Sequence, residues 1–172
     1  PFAEYIPMSD KITLLKKLNF GQANFTAGSE FTVFKMDSIL FSNLICYESS
    51  HPEVARGFVQ NGARFLTIEA NDAWLRNSSG VRQHFELARL RAVELRTGIV
   101  RSANTGISGI IYPSGKVEKR IPFGQQAVVK GKVPLSSSMT FFALYGSVFA
   151  QICLIITLVQ IVWLIKRLNP SS

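Results

Sequence analysis

Two hydropathic regimes divide the chain. Residues 1–140 alternate apolar and polar positions at short range, whereas Phe141–Ile165 runs 25 positions without a charged residue. In the first regime, SDKITLLKKL (9–18) predicts a short helix capped by Ser9, with Ile12, Leu15 and Leu18 on one face. Asn19–Glu30 is rich in Gly, Asn and Ser and reads as loop. A short strand is expected over Phe31–Phe34, a turn at Asp37-Ser38, and a strand over Ile39–Cys46. The near-continuous apolar character of that strand predicts burial on both faces. Ser50 and Glu53 have capping-box spacing, with Pro52 in the first turn of a helix reaching about Gln60 and stopped by Gly62. Ala63–Glu69 reads as strand and Asn71–Gly80 as loop. Val81–Arg96 reads as a helix with Val81, Phe85, Ala88, Ala92 and Leu95 on one face and Gly98 as its stop. Strands follow over Ile99–Ala103, Gly109–Tyr112, Val117–Ile121 (a hairpin partner across Pro113-Ser114-Gly115) and Ala127–Val133, and Pro134–Thr140 serves as a link. No repeat and no internal linker interrupts the globular part. Strands alternating with helices, then hairpins, predict an α/β layered sandwich.

The second regime is long enough to cross a bilayer: as a helix it would measure about 37 Å against a hydrocarbon core of roughly 30 Å. Gln151 and Gln160 need hydrogen-bond partners in lipid. The stretch is therefore expected to begin as a loop near Tyr145 and Gly146 and to become helical afterwards. The competing reading, a buried core helix, is disfavoured because such helices are usually shorter and more amphipathic. Lys166 and Arg167 follow directly and Trp163 sits where an interfacial anchor belongs. The positive-inside rule then places the C-terminus in the cytoplasm and the globular part on the other face.

The formal net charge is +8, which suits anionic lipid headgroups or nucleic acid. Zinc spacing, an aromatic RNA-binding motif and a block of basic residues are all absent from the sequence, and Lys11, Lys16 and Lys17 are the nearest approach to a cluster. A solvated face is the favoured reading of the charge, and a membrane-facing patch the next. The two cysteines, Cys46 and Cys153, are not expected to pair, because Cys153 lies in the apolar segment.

Cys46 stands at the end of an apolar strand just before a helix, in LICYES. That geometry exposes a nucleophile and aims helix N–H groups at it; a buried structural cysteine is the alternative, and spacing alone favours it. Glu48 and Glu4 are carboxylates able to act as a base near a thiol, or ordinary capping and surface residues. Asn71-Asp72-Ala73-Trp74 could line a pocket, or Asp72 could make an Asx-turn. His84 lies on a helix and His51 precedes one. The sequence suggests no Ser-His-Asp arrangement and no metal cluster. Arg91 and Glu94 are read as a structural i,i+3 pair.

Several strings taken together are more specific. PFAEYIP resembles the PFGEY segment of the nitrilase-like carbon–nitrogen hydrolase superfamily, and LICYES resembles that superfamily's nucleophile strand, with Tyr-Glu after the cysteine as in its acyltransferase branch. NDAW, QHFELARLRAVE and VRSANTGISGIIYPSG follow in the order and spacing of apolipoprotein N-acyltransferases, and the terminal apolar helix belongs to the same pattern. The resemblance spans nearly the whole chain. It implies the C-terminal half of a nitrilase-like αββα sandwich over residues 1–140, one transmembrane helix with its flanks over 141–168, and a tail over 169–172.

In function it implies that Cys46 forms a thioester with an acyl chain from a phospholipid. The acyl group then passes to the N-terminal amine of diacylglyceryl-cysteine in an apolipoprotein. Glu4 would be a supporting carboxylate, Tyr47 and Glu48 would shape the site, and Asn71, Asp72 and Trp74 would contact substrate. No cofactor, metal or nucleic acid is implied. The expected place is the bacterial inner membrane, multi-pass in the full-length protein, with the catalytic domain periplasmic and the C-terminus cytoplasmic. The superfamily's triad glutamate and lysine precede the PFGEY segment and have no match here, so the chain alone is expected to be inactive. Ala3 for glycine, Leu75-Arg76 for Phe-Gly and Ser147 for an acidic residue are smaller departures. A membrane-tethered nitrilase-type amidase and a truncated non-catalytic module are the rival readings. Half a sandwich would also expose apolar sheet surface and favour aggregation.

Overall fold

In the computed structural model of the chain, residues 28–76 and 78–168 are described. The expected helix over 9–18 and Glu4 lie outside them. The chain divides into two units, Pro1–Thr32 and Val33–Ser172. In the first, the described residues 28–32 are exposed.

The second unit is built on a six-stranded sheet whose strands are adjacent in chain order: β1 (Phe34–Met36), β2 (Ile39–Ile45), β3 (Phe65–Asn71), β4 (Gly98–Asn104), β5 (Ser108–Ile111) and β6 (Val117–Ile121). β2, β3 and β4 run parallel, and the remaining neighbours are antiparallel. The parallel steps need crossovers, and helices supply them: α1 (Pro52–Gln60) from β2 to β3, and α2 (Ser79–Leu95) from β3 to β4. Both steps move one strand in the same direction, so crossovers of one hand lay both helices on one face.

On that face Leu44, Leu66, Ile68, Ile99 and Ile111 pack against Ala55, Phe58, Val59, Val81, Phe85, Ala88, Ala92 and Leu95. The predicted stripe of α2 is buried at every position. The opposite face carries a row of rings: Phe34 and Phe41 lie 5.5 Å apart, and Phe41 stacks on Phe65 at 5.2 Å. One face covered by helices and one bearing a separate apolar row fits the single leaf of a layered sandwich that the resemblance implies.

Several expectations shift. The first strand is Phe34–Met36 rather than Phe31–Phe34. β2 is buried on one face only, since Ser42 and Leu44 are enclosed while Ile45 is exposed. Its apolar run reflects two kinds of apolar surface, not two helical layers. α1 starts from His51 without a side-chain cap, because the preceding residues through Ser50 belong to a 3₁₀ turn. β3 begins two residues later than expected. α2 is capped by the Ser78 hydroxyl, which accepts from the Gly80 N–H. It ends at Arg96 in the left-handed conformation, not at Gly98; Gly98 opens β4. A Cβ on Gly98 would lie 2.6 Å from the Pro134 carbonyl oxygen, so the glycine serves a close backbone approach. Residues 127–133 form no strand: they find no ladder partner, and Val128 is 95% exposed.

The apolar stretch breaks at Gly146, where a loop was expected, but the residues before the break form a short helix. α3 (Phe141–Tyr145) precedes Gly146, whose φ of 68° ends it, and α4 (Val148–Leu168) follows. α4 is 21 residues of apolar helix, long enough to cross a membrane, with none of its residues buried. Cys46 and Cys153 are unpaired, as expected.

Candidate active site

The parallel strands end at one edge, and the residues with chemical potential collect there, as the geometry of parallel α/β sheets favours. β2 hands Ile45 to Cys46, and the chain turns. Cys46 has φ 48°, a left-handed conformation that costs a residue with a Cβ about 1–3 kcal/mol. It opens the 3₁₀ turn Cys46–Ser50, which leads into α1. Two side chains close this elbow from within. The Glu48 carboxylate accepts from the Ile45 N–H at 2.7 Å. The Ser49 hydroxyl donates to the Cys46 carbonyl at 2.7 Å. Cys46 is half-buried and its thiol is free. Tyr47 is exposed and meets His51 edge-on at 5.0 Å.

β3 ends at Asn71, whose side chain accepts from the Ala73 N–H at 3.2 Å. The Asx-turn therefore belongs to Asn71, not to Asp72. Trp74, in the 3₁₀ turn Ala73–Leu75, is 68% exposed. Asp72 points inward and is fully buried. One of its oxygens accepts from His84 Nδ1 at 2.8 Å and the other from Arg101 Nη2 at 2.8 Å. Its carboxylate is engaged inside the domain rather than presented to a ligand. A Cβ on Gly106 would fall 2.2 Å from Asp72 Oδ2, so only glycine lets that loop close over the carboxylate.

His84 completes the connection. Its Nε2 lies 3.1 Å from the Cys46 carbonyl oxygen and 3.1 Å from Ser49 Oγ. The single Ser49 proton already goes to that carbonyl, so Nε2 is the donor to both oxygens. Arg101 Nη2 also approaches Nδ1 at 3.1 Å. Two donors cannot bond each other, so the Nδ1 proton is assigned to Asp72, the closer group; both ring nitrogens then carry protons, and His84 is the imidazolium paired with the Asp72 carboxylate.

Ser49, His84 and Asp72 thus form the Ser-His-Asp arrangement that the sequence did not suggest. It is not a nucleophilic triad, because Ser49 is fully buried and spends its proton on a backbone carbonyl. Arg101, 2% exposed, is held by Asp72 and by the Ile107 carbonyl at 3.2 Å. Burial alone would raise the Asp72 carboxyl; the His84 hydrogen bond and the Arg101 charge outweigh it and hold it below the usual carboxylate value. Burial pulls the Arg101 guanidinium down from its ordinary value, against Asp72.

Ser49, His84, Arg101 and Gly106 escaped the sequence reading of this site. Two of them leave a signal. Arg101 alternates with Ile99 and Ala103 on the inward face of β4, where an arginine requires a buried partner. His84 sits on the same helical stripe as Val81, Ala88 and Leu95. Among the described residues, no cluster of three or more His, Cys, Asp and Glu is arranged to hold a metal ion.

Comparison with known proteins adds a lineage to this geometry. Residues 4–140 match the carbon–nitrogen hydrolase family model. Apolipoprotein N-acyltransferase of Geobacter metallireducens is 38% identical over 153 residues, covering 89% of this chain and 29% of that protein. The protein of the same name from Chlorobaculum tepidum is 36% identical, covering 90% of this chain and 30% of its own length. The chain thus spans under a third of these curated relatives. Among solved structures, a carbon–nitrogen hydrolase from Helicobacter pylori superposes with TM-score 0.55 at 14% identity, over 62% of this chain and 45% of that one. A Nesterenkonia amidase of the nitrilase superfamily gives 0.52 at 19% identity, over 60% and 41%. These likenesses speak to the fold.

Proposed function

The chain belongs to the carbon–nitrogen hydrolase family, and from that footing we propose that it is the C-terminal portion of an apolipoprotein N-acyltransferase with Cys46 as its acyl carrier. The carrying observation is a free, half-buried cysteine at left-handed φ on a strand-to-helix elbow, in a chain that continues into a fully exposed apolar helix. The names of the relatives support the same reading.

The reaction has two steps. The Cys46 thiolate attacks an ester carbonyl of a phospholipid; a C–S bond forms, the ester C–O bond breaks, and the lysophospholipid oxygen leaves with a proton. The N-terminal amine of a diacylglyceryl-cysteine then attacks the thioester. A C–N bond forms, the C–S bond breaks, the nitrogen loses a proton and the thiol is restored. Each addition puts negative charge on an oxygen, which needs fixed donors. A trans peptide points its N–H opposite its C=O. With the Cys46 carbonyl held inward by Ser49 and His84, the Tyr47 N–H is directed to the other side, where an oxyanion would sit.

We assign the base to none of the described residues. By the resemblance it is the superfamily's glutamate, with its lysine at the oxyanion and Glu4 in support; the chain matches neither the glutamate nor the lysine, so no turnover is expected from the 172 residues alone. Tyr47, Asn71 and Trp74 flank the elbow at the sheet edge and are the proposed contacts for lipid and acceptor. Residues 1–140 form the catalytic part and 141–168 the membrane part: α4 crosses the bilayer, Lys166 and Arg167 mark the cytoplasmic end, and the domain faces the periplasm of a bacterial inner membrane.

The test uses the longest product of the reading frame that encodes this chain, with and without Cys46→Ser, incubated with phospholipid labelled in its acyl chain. Label on the wild type, released by neutral hydroxylamine and missing from the variant, is the expected result. Absence of label from both, with hydrolysis of a small soluble amide instead, would sink the acyltransferase reading and establish an amidase. Absence of both activities would leave a non-catalytic module.

A further inference from the structure

We propose that Asp72, His84 and Arg101 are positioning residues for the nucleophile, holding the Cys46 elbow through its backbone carbonyl. The inference rests on the reading of Cys46 as the acyl carrier.

The elbow has a problem to solve. Left-handed φ at Cys46 is disfavoured, and the peptide that follows it is free to swing unless something takes its carbonyl. Ser49, three residues on, supplies one donor, but it belongs to the same turn and moves with it. His84 supplies the second from a different element: it lies in α2, 38 residues away in sequence. That bond ties the turn to the helix packed beneath it.

The rest of the cluster makes His84 a fixed donor. Asp72 receives Nδ1 at 2.8 Å, which fixes the ring plane and leaves Nε2 aimed at Cys46. Asp72 cannot rotate away, because Arg101 holds its other oxygen at 2.8 Å and Gly106 closes against the carboxylate. Arg101 in turn is held by the Ile107 carbonyl. Each group is supplied by a different part of the core: the end of β3, α2, and the inward face of β4. A rotation of the Cys46 peptide would therefore have to break its bonds to Ser49 and His84, and the His84 ring is itself held by Asp72, which Arg101 holds in turn. None of the three side chains presents a group to a substrate, so they act through Cys46 and not upon the acyl chain.

The experiment compares His84→Leu and His84→Gln in the longer protein, using single-turnover acylation of Cys46 by labelled phospholipid. Leucine keeps much of the volume and removes both donors. Glutamine's terminal amide can still reach toward the Cys46 carbonyl, though not Asp72 at the same time. Misplacing a reacting group by about 1 Å costs on the order of a hundredfold. Accordingly His84→Leu should lower kcat by about that factor with KM for phospholipid little changed, and His84→Gln should recover at least about tenfold of the loss.

Should His84→Leu fail to fold, His84→Gln is measured beside Ser49→Ala, which removes the in-turn donor alone; both should lower kcat without moving KM. Equal kcat in wild type and His84→Leu would overturn the proposal. So would folded Gln and Leu variants that are equally slow, or a loss expressed in KM. If the wild type hydrolyses a small amide instead of accepting acyl groups, the function reading falls while the positioning proposal is judged by the same ranking on that substrate. A wild type lacking both activities overturns the two together.

Discussion

Among the described residues, two arginine–carboxylate pairs are enclosed in this domain, one fully and one in part, and burial, which raises both carboxyls, prevails in only one of them. Beneath the elbow, Asp72 and Arg101 meet at 2.8 Å with both side chains fully enclosed. Against the segment leading to the apolar helix, Arg91 and Glu94 meet at 3.0 Å on α2. Asp72 is held below its ordinary value although burial pushes the other way. Glu94 is raised: burial leads, Glu53 adds to it, and Arg91 opposes without prevailing. The difference lies in the number of compensating partners. Asp72 accepts from both His84 and Arg101. Glu94 receives one hydrogen bond, from Arg91 Nη2 at 3.1 Å; the second arm, at Arg91 Nε, is a close charge contact without hydrogen-bond geometry. A buried carboxylate keeps its charge when both oxygens are served, and yields toward protonation when one is not.

The second region does other work. Arg56 donates to the Ala143 and Leu144 carbonyls, each at 3.0 Å, Gln60 donates to Ala143 at 2.9 Å, and the Thr140 hydroxyl donates to the Glu94 carbonyl at 2.6 Å. Helices α1 and α2 thereby fasten α3, the last turn before the apolar helix. Expected from sequence to belong with the membrane stretch, this segment is docked onto the domain, with Ala143 in its core.

The largest expected effect falls on the elbow pair. Asp72→Asn removes the charge that answers a buried guanidinium, and breaking such a pair costs about 3–5 kcal/mol; denaturant unfolding of the purified protein should show it, with Cys46 acylation falling in parallel. Gly106→Ala comes next. Its methyl group would overlap Asp72 Oδ2, and overpacking of this kind costs about 1–3 kcal/mol, read in the same assay. Wild-type stability after Gly106→Ala would show that the loop yields and that the cluster is not tightly enclosed.

Smallest is the pH contrast. Asp72, lowered in the folded state, contributes stability that is fully present above its ordinary value of 3.8 and is lost as pH falls through the folded value. Glu94, raised in the folded state, contributes stability present below its ordinary value of 4.5 and lost as pH rises through the folded value. Thermal midpoints measured across acid pH should therefore lose their steep low-pH limb in Asp72→Asn. In Glu94→Gln they should lose the opposing limb above it. Identical profiles for the two variants would erase the distinction between the pairs.

Much of the scaffold is legible in the sequence. The stripe Val81, Phe85, Ala88, Ala92 and Leu95 named the buried face of α2, and Val117–Ile121 was placed at both ends. The elbow could be anticipated from an apolar run ending in Cys46 ahead of a helix. The site beneath it could not, apart from the faint signals of His84 and Arg101. Asp72 stood in a loop string, His84 on a helix and Arg101 in a strand, and each had an ordinary local reading.

What the sequence determined alone is what depends on near neighbours: periodicity, the turn at Asp37-Ser38, the apolar length of the last helix and the strand-to-helix position of Cys46. The strand end at Ile45, the cap at Arg96 and the absence of a strand over 127–133 depended on which ladders closed. Only the tertiary structure decided that three charged or titratable side chains, supplied from the loop after β3, from α2 and from β4, would meet under one backbone carbonyl. Hydrophobic period is written along the chain. Partners for a buried charge are chosen across it, once parallel pairing has brought the strand ends to a common edge.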